Sequence, residues 1–466
     1  MRKLMIAAPK SGSGKTILTC GLLEVFKKKF VPVASFKCGP DYIDPLFHKK
    51  ILGQESRNLD SFFEDPDGLR EVFLQGTEGK EEGLALIEGV MGYFDGLGGT
   101  SPQASAWDVA GILDCPVILV VDAKGASLSL IPLIKGFLDY QPAGYDRRGP
   151  GIAGIILNRV SPMIYTGLKE TLERELGVPV AGYIPPLDFL KIESRHLGLI
   201  LPDEIADIQF QIRRLAGILE ETLDIGLLLE ISQRHTSQFE NGRILRNKAI
   251  HKPGTAFHLG IAKDEAFCFY YRENLQAMEK AGGILTEFSP LHDKELPDGL
   301  DGLLLGGGYP ELYADKLAEN ETMRMSIRKA AESGMPILGE CGGFLYLLEN
   351  LKTEDGHIFP MAGVFSGESG KGQRLGNFGY LTLTAEEDLP FLKKGMSMKG
   401  HEFHYWQTND QGAGACARKP AGNKEWLCMR NYKNTLAGFP HLYYRSCPEF
   451  IAEFARCCRD YRMGRI

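Results

Sequence analysis

The chain has 466 residues, is 44% hydrophobic and 24% charged, and carries a formal charge of -7. These values fit a globular protein of two or three domains, and the acidic balance speaks against a nucleic-acid binder. Ten cysteines without a CxxC pair argue against a zinc ribbon, and with no secretory start they read as reduced thiols. The longest apolar run, "CPVILVV", is too short to span a bilayer, so the expectation is a cytoplasmic protein with no membrane partner.

In chain order, the first half alternates apolar runs with helical patterns. "KLMIAA", "VPVASFK", "LALIEGV", "PVILVVD", "GIAGIILN" and "VPVAGYIP" are apolar at successive positions, as strands covered on both faces are. "GKTILTCGLLEVFKKKF" and "YTGLKETLERELG" fit helices between them. The rhythm predicts a mostly parallel sheet with helices on both sides.

Between the first strand and the first helix lies "APKSGSGKT", residues 8 to 16. Gly12, Ser13 and Gly14 let backbone N–H groups converge on phosphate oxygens, Lys15 supplies a point charge, and Thr16 supplies a hydroxyl for Mg²⁺. Pro9 replaces the first glycine of the usual spacing, and Lys10 is an additional cation. The loop fits two ATPase types: the partitioning type, which uses such an extra lysine, and the dethiobiotin-synthetase type. "FKCGPDYIDP", residues 36 to 45, favours the second by placing Lys37, Asp41 and Asp44 at a strand's carboxyl end, where open α/β sheets bind ligands. "LIEGVMGYFDG", residues 86 to 96, adds Glu88 and Asp95 as candidate metal carboxylates.

The composition turns polar over residues 233 to 256, and a second α/β rhythm follows in "HLGIAKD", "GGILTEFSP", "DGLLLGGGYPE" and "MPILGECGG". The expected organisation is a domain over 1–230, a linker over 231–255 and a domain over 256–466. In "GECGGFLYL", Cys341 stands on a strand-to-helix turn with small neighbours, the setting of an exposed nucleophile. The helix start behind it is expected to lower the thiol pKa. "LLLGGGYPE" offers backbone N–H groups of Gly307 and Gly308 as an oxyanion hole, and "GFPHLYY" offers His441 as base.

These motifs, with "SRNLDSFF", "NRV", "RHLGL" and "GHEFHYW", resemble the cobyrinic acid a,c-diamide synthases of cobalamin biosynthesis over nearly the whole chain. The resemblance implies a P-loop, dethiobiotin-synthetase-like domain followed by a class I, flavodoxin-like glutamine amidotransferase domain. It implies ATP- and Mg²⁺-dependent amidation of two acetate groups of a corrinoid through acyl phosphates, with glutamine as nitrogen donor. Carried over, the loop binds ATP with Lys37, and Asn158 recognises adenine. Thr16, Glu88 and Asp95 serve the metal, and Asp41 and Asp44 serve the reacting carboxylate. Cys341 and His441 form the glutaminase pair, while Arg195, His401 and His404 meet the corrinoid. Ser194 departs from the glutamate that relatives often carry. Tyr443 stands where other triad amidotransferases place an acid, so the pair works as a dyad. The metal state of the macrocycle and a homodimer stay open. So do a regulatory ATPase with an inert second half and the same amidation on hydrogenobyrinic acid or nickel-sirohydrochlorin.

Overall fold

The computed structural model describes residues 1–29, 31–145, 149–190, 194–195, 198–234 and 255–464, with the backbone alone at 194–195 and 198–199. The chain packs as two compact units, Met1–Leu245 and Arg246–Ile466.

The first unit is built on a seven-stranded sheet of β1 (Arg2–Ala7), β2 (Val33–Cys38), β3 (Arg57–Leu59), β4 (Leu84–Glu88), β5 (Val117–Asp122), β6 (Ile152–Asn158) and β7 (Val180–Ile184). Their order is β3-β2-β4-β1-β5-β6-β7, and every pairing is parallel. Parallel strands need helical crossovers, which cover both faces and so demand apolar residues at successive positions. In β5 the residues Val117 to Val121 are all buried. β1 lies between β4 and β5: its own crossover runs to β2 on one side and that of β4 runs to β5 on the other, so the order reverses at β1, and such a reversal opens a crevice at the carboxyl ends of the strands. Helix α1 (Lys15–Lys28) follows β1, and α2 (Ile43–Leu52) follows β2. The short edge strand β3 was not among the expected elements.

The second unit carries a six-stranded sheet in the order Gly283–Phe288, Phe257–Ala262, Gly302–Leu305, Ile337–Glu340, Thr435–Gly438, Arg430–Tyr432. All pairings are parallel except the last. Outside this mostly parallel sheet the unit adds antiparallel pairing. Five strands, among them Gly379–Ala385, Ser397–Glu402 and His441–Leu442, form an antiparallel sheet. Gly379–Ala385 alternates buried and half-buried positions, the pattern of a strand with one covered face. The helix Ile225–Gln233 runs into the expected linker, and residues 235–254 of that linker lie outside the described residues.

Candidate active site

The phosphate loop joins β1 to α1 through Gly12 and Gly14, with φ of 74° and 95°. That left-handed backbone favours glycine. A Cβ on Gly14 would also stand 2.3 Å from Asn158 Nδ2. Asn158, at the end of β6, donates to the Ser13 carbonyl across 2.8 Å and so braces the loop. Ser13 Oγ donates to the Lys10 carbonyl, 2.9 Å away. Lys15 Nζ donates to the Met91 carbonyl at 2.5 Å. Burial, followed by the charge of Lys37, pulls its pKa down to about 8. Lys10 is exposed; burial pushes the Asp122 carboxyl up, but Arg159 and the Lys124 amide, with a smaller pull from the Lys10 charge, hold it below its ordinary range.

Thr16, Lys37, Asp44 and Glu88 converge at the carboxyl ends of β2 and β4. Thr16 Oγ1 donates to Glu88 Oε1 at 2.6 Å and lies 3.3 Å from Asp44 Oδ2. Lys37 Nζ donates to Asp44 Oδ2, to Glu88 Oε1 at 2.9 Å and to the Gly89 carbonyl at 3.3 Å. Burial alone would strip the proton from Lys37, but Asp44, Glu88 and Asp41 hold it on, well above its ordinary range. Burial likewise pushes the Glu88 carboxyl up, yet Lys37 and His48 override it and keep it ionised. For Asp44, burial and then Asp41 and Glu88 raise the pKa against the pull of Lys37.

Asp41 caps α2: its Oδ1 accepts the amides of Ile43 at 2.8 Å and Asp44 at 3.1 Å. Its other oxygen lies 4.0 Å from Lys37 Nζ. The sequence reading missed His48, which is fully buried. Its Nε2 lies 2.9 Å from Glu88 Oε2 and its Nδ1 lies 3.0 Å from Ser56 Oγ. The signal was present, because Asp44 and His48 are four residues apart and share a face of α2.

Asp95 does not join this cluster by any hydrogen bond among the described residues. Its Oδ2 accepts the Gly92 amide at 2.9 Å and closes the turn that presents the Met91 carbonyl. No group of three or more His, Cys, Asp or Glu side chains suited to a metal occurs among the described residues. The hydroxyl of Thr16 and the carboxylates of Glu88 and Asp44 are oxygen donors of the kind Mg²⁺ takes alongside waters and phosphates. Thr16 and Glu88 therefore fit such an ion, while Asp95 stands apart from them and acts on Lys15 through its charge. The side chain of Arg195 lies outside the described residues.

In the second unit, Cys341 follows the strand Ile337–Glu340 with φ 49° and ψ -102°, a left-handed φ at a non-glycine residue. Such strain at a strand-to-helix turn is the geometry of a nucleophile elbow, although Cys341 itself is buried. The turn closes because its neighbours are glycines: a Cβ on Gly343 would stand 1.9 Å from the Leu305 carbonyl oxygen. The two glycines expected to form an oxyanion hole lie beside this turn and beside His441. A Cβ on Gly342 would lie 3.0 Å from the Gly308 amide nitrogen, and one on Gly307 would lie 2.4 Å from His441 Cε1. The Gly308 backbone nitrogen thus lies close to the Cys341 turn, while Gly307 makes room for the histidine ring. Tyr270 anchors this loop, since its hydroxyl accepts the Gly306 amide at 2.8 Å and donates to the Ala262 carbonyl at 2.5 Å.

The resting thiol is not activated as expected. Burial, then the charges of Glu311 and Glu402, raise the Cys341 pKa, outweighing the amide of Gly342 behind it. Burial, then His404, lowers His441 to about 3. Both shifts favour the uncharged forms, a thiol at Cys341 and a neutral imidazole at His441.

His401 and His404, expected to meet a corrinoid, are both buried within the second unit. His404 Nε2 lies 2.8 Å from Glu402 Oε1, and its Nδ1 lies 2.5 Å from the Trp406 carbonyl. The His401 ring stacks on His441 at 4.9 Å between centroids, and its Nδ1 lies 3.0 Å from the Tyr271 hydroxyl. "GHEFHYW" therefore builds the surroundings of His441.

The two units define a nucleotide-binding domain joined to a glutamine amidotransferase domain. Residues 4–200 match the family model of the CobQ/CobB/MinD/ParA nucleotide binding domain, and residues 258–447 match that of the CobB/CobQ-like glutamine amidotransferase domain. A cobyrinate a,c-diamide synthase of Caldanaerobacter subterraneus subsp. tengcongensis is 37% identical over 464 residues, covering 99% of each chain. Relatives of that name from Listeria innocua and Salmonella typhimurium are each 38% identical and cover 97% and 98% of this chain and 98% of their own. The chain belongs to the cobyrinate a,c-diamide synthase family, and it is an ATP-dependent, amide-forming ligase that uses glutamine. No helix among the described residues is long and apolar enough to cross a membrane.

Proposed function

We propose that this chain amidates the a- and c-acetate carboxylates of cobyrinic acid, each through an acyl phosphate, with ammonia released from glutamine at Cys341. The observation that carries the reading is the cluster of Thr16 with the buried Lys37, Asp44 and Glu88 beside the phosphate loop, in a chain related over nearly its whole length to enzymes named for that product.

A carboxylate has no adequate leaving group for ammonia, so its oxygen must first take the terminal phosphoryl group of ATP. Such a transfer is catalysed chiefly by position and charge neutralisation. Lys15 would neutralise the phosphates, and Lys37, held protonated by its carboxylates, would face the transferring group and the acceptor oxygen. Mg²⁺, held by Thr16 and Glu88, would supply further charge neutralisation at the phosphates. Asp41 and Asp44 sit at the start of α2, placed to orient the reacting acid and to take a proton from the attacking amine.

At the other site His441 would take the Cys341 proton as sulfur attacks the glutamine amide. Gly308 and the amide of Gly342 would hold the oxyanion. The protonated His441 then returns its proton to the departing ammonia, and water releases glutamate from the thioester. The test is direct: incubation with ATP, Mg²⁺ and glutamine, offering cobyrinic acid, hydrogenobyrinic acid and nickel-sirohydrochlorin in turn. A product carrying two new amides on cobyrinic acid is expected, and reaction with another macrocycle alone would overturn the substrate assignment.

A further inference from the structure

In a Cys–His site the imidazole must be held in line with the thiol, and an acid two residues beyond the histidine is one way to hold it. Here position 443 is tyrosine, and its amide donates to the Lys399 carbonyl at 2.8 Å. The backbone beside the histidine is gripped instead. Glu340, the residue before Cys341, is buried, and its Oε1 accepts the Leu442 amide at 3.4 Å. The Tyr444 side chain bonds the same carboxyl. From the opposite side, Asn274, buried in the helix Arg272–Lys280, donates from Nδ2 to the Leu442 carbonyl at 2.7 Å. Its Oδ1 accepts the Tyr444 amide at 2.9 Å. Both polar groups of Leu442 are thus taken by buried side chains, one of them covalently next to the nucleophile.

The anchoring is economical in its parts. Glu340 lies in register opposite Gly438, whose carbonyl accepts the Cys341 amide at 2.8 Å. The nucleophile strand therefore fixes the nucleophile by its backbone and the histidine segment by its side chain. Tyr271, which precedes the helix bearing Asn274, bonds His401, the ring stacked on His441.

We propose that Glu340 and Asn274 are positioning residues that clamp the Leu442 peptide unit and so aim His441 at Cys341. This rests on the reading of Cys341 and His441 as the glutaminase pair. What the clamp requires of Glu340 is an acceptor oxygen at full side-chain reach. A glutamine at this position preserves that reach without the acid group, whereas an aspartate preserves the acid group but falls one methylene short.

The test is the rate at which diazo-oxo-norleucine, a glutamine analogue that alkylates the active thiol, modifies the full-length protein. The maximal rate and the half-saturating concentration are measured separately. Glu340→Gln is expected to stay within about threefold of the parent in maximal rate, and Glu340→Asp and Asn274→Ala to fall roughly ten- to a hundredfold with half-saturation unchanged. An aspartate variant as fast as the parent, or a glutamine variant as slow as the aspartate one, overturns the clamp. If Glu340→Asp does not fold, Asn274→Ala reacting at the parental rate overturns it equally. Cys341→Ser distinguishes the two levels. Labelling of that variant at the parental rate would reject the glutaminase reading itself. A silent Cys341→Ser beside clamp variants that react like the parent would reject the clamp alone.

Discussion

The Thr16 hydroxyl donates to Glu88 Oε1 across 2.6 Å, tying the first residues of α1 to the end of β4. Glu88 also receives Lys37 and lies against His48, so one fully buried carboxylate organises the phosphate loop, the ammonium and α2 together. Glu88→Gln is therefore expected to lower amidation by about 10²- to 10³-fold, the scale of losing one preorganised charged group at a reacting centre. The loss should be equal with glutamine and with ammonia. Glutamate release at the other site should persist, and steady-state assays with each nitrogen source check this.

Lys37→Met removes the ammonium that faces Asp41, Asp44 and Glu88. Uncompensated buried charge of this kind costs about 3–5 kcal/mol. Denaturant unfolding should show the first unit destabilised on that scale, together with loss of amidation from both nitrogen sources. Unchanged stability would show that the carboxylates do not depend on this lysine.

Cys341→Ala should abolish glutamine-dependent amidation and spare ammonia-dependent amidation at high pH, where ammonia is unprotonated. Parallel loss of both would contradict the division of labour between the two units.

Glu340 gives a pH prediction for stability. Burial pushes its carboxyl up to about 8, from an ordinary 4.5. Between those values the folded chain keeps a proton that the unfolded chain has released, so this group's contribution to stability falls as pH rises through the window. The effect is on the order of a few kcal/mol. Glu340→Gln cannot ionise. Its melting temperature relative to the parent should climb from about pH 5 to about pH 8, and a constant difference across that range would contradict the assignment.

Much of the first unit was legible because parallel strands buried on both faces leave unbroken apolar runs, as in β1 and β5. The edge strand Arg57–Leu59 left no such run, since three residues are too few to show a period. The antiparallel sheet of the second unit was missed because the alternation in Gly379–Ala385 is weak against a glycine-rich background.

The convergence of Thr16, Lys37, Asp44 and Glu88 was foreshadowed by their places on the loops that follow β1, β2 and β4. Asp95 shared that placement, yet its carboxylate turned back onto its own loop, a choice made by the Gly92 amide that spacing cannot reveal. His401 and His404 were assigned to the corrinoid by the resemblance, and their burial left no trace in the local sequence. They are buried because a strand pairing sets His401 opposite His441, and Glu402 and the Trp406 carbonyl engage His404. The Leu442 clamp joins residues far apart in sequence, which no local pattern encodes.

The central claim is that ATP converts an inert carboxylate into an acyl phosphate. Cobyrinic acid labelled with heavy oxygen in its acetate carboxylates should be incubated with the protein, ATP, Mg²⁺ and ammonia, and the inorganic phosphate analysed by mass. The account predicts one heavy oxygen delivered to phosphate for each amide formed. Amide formation with unlabelled phosphate would contradict it.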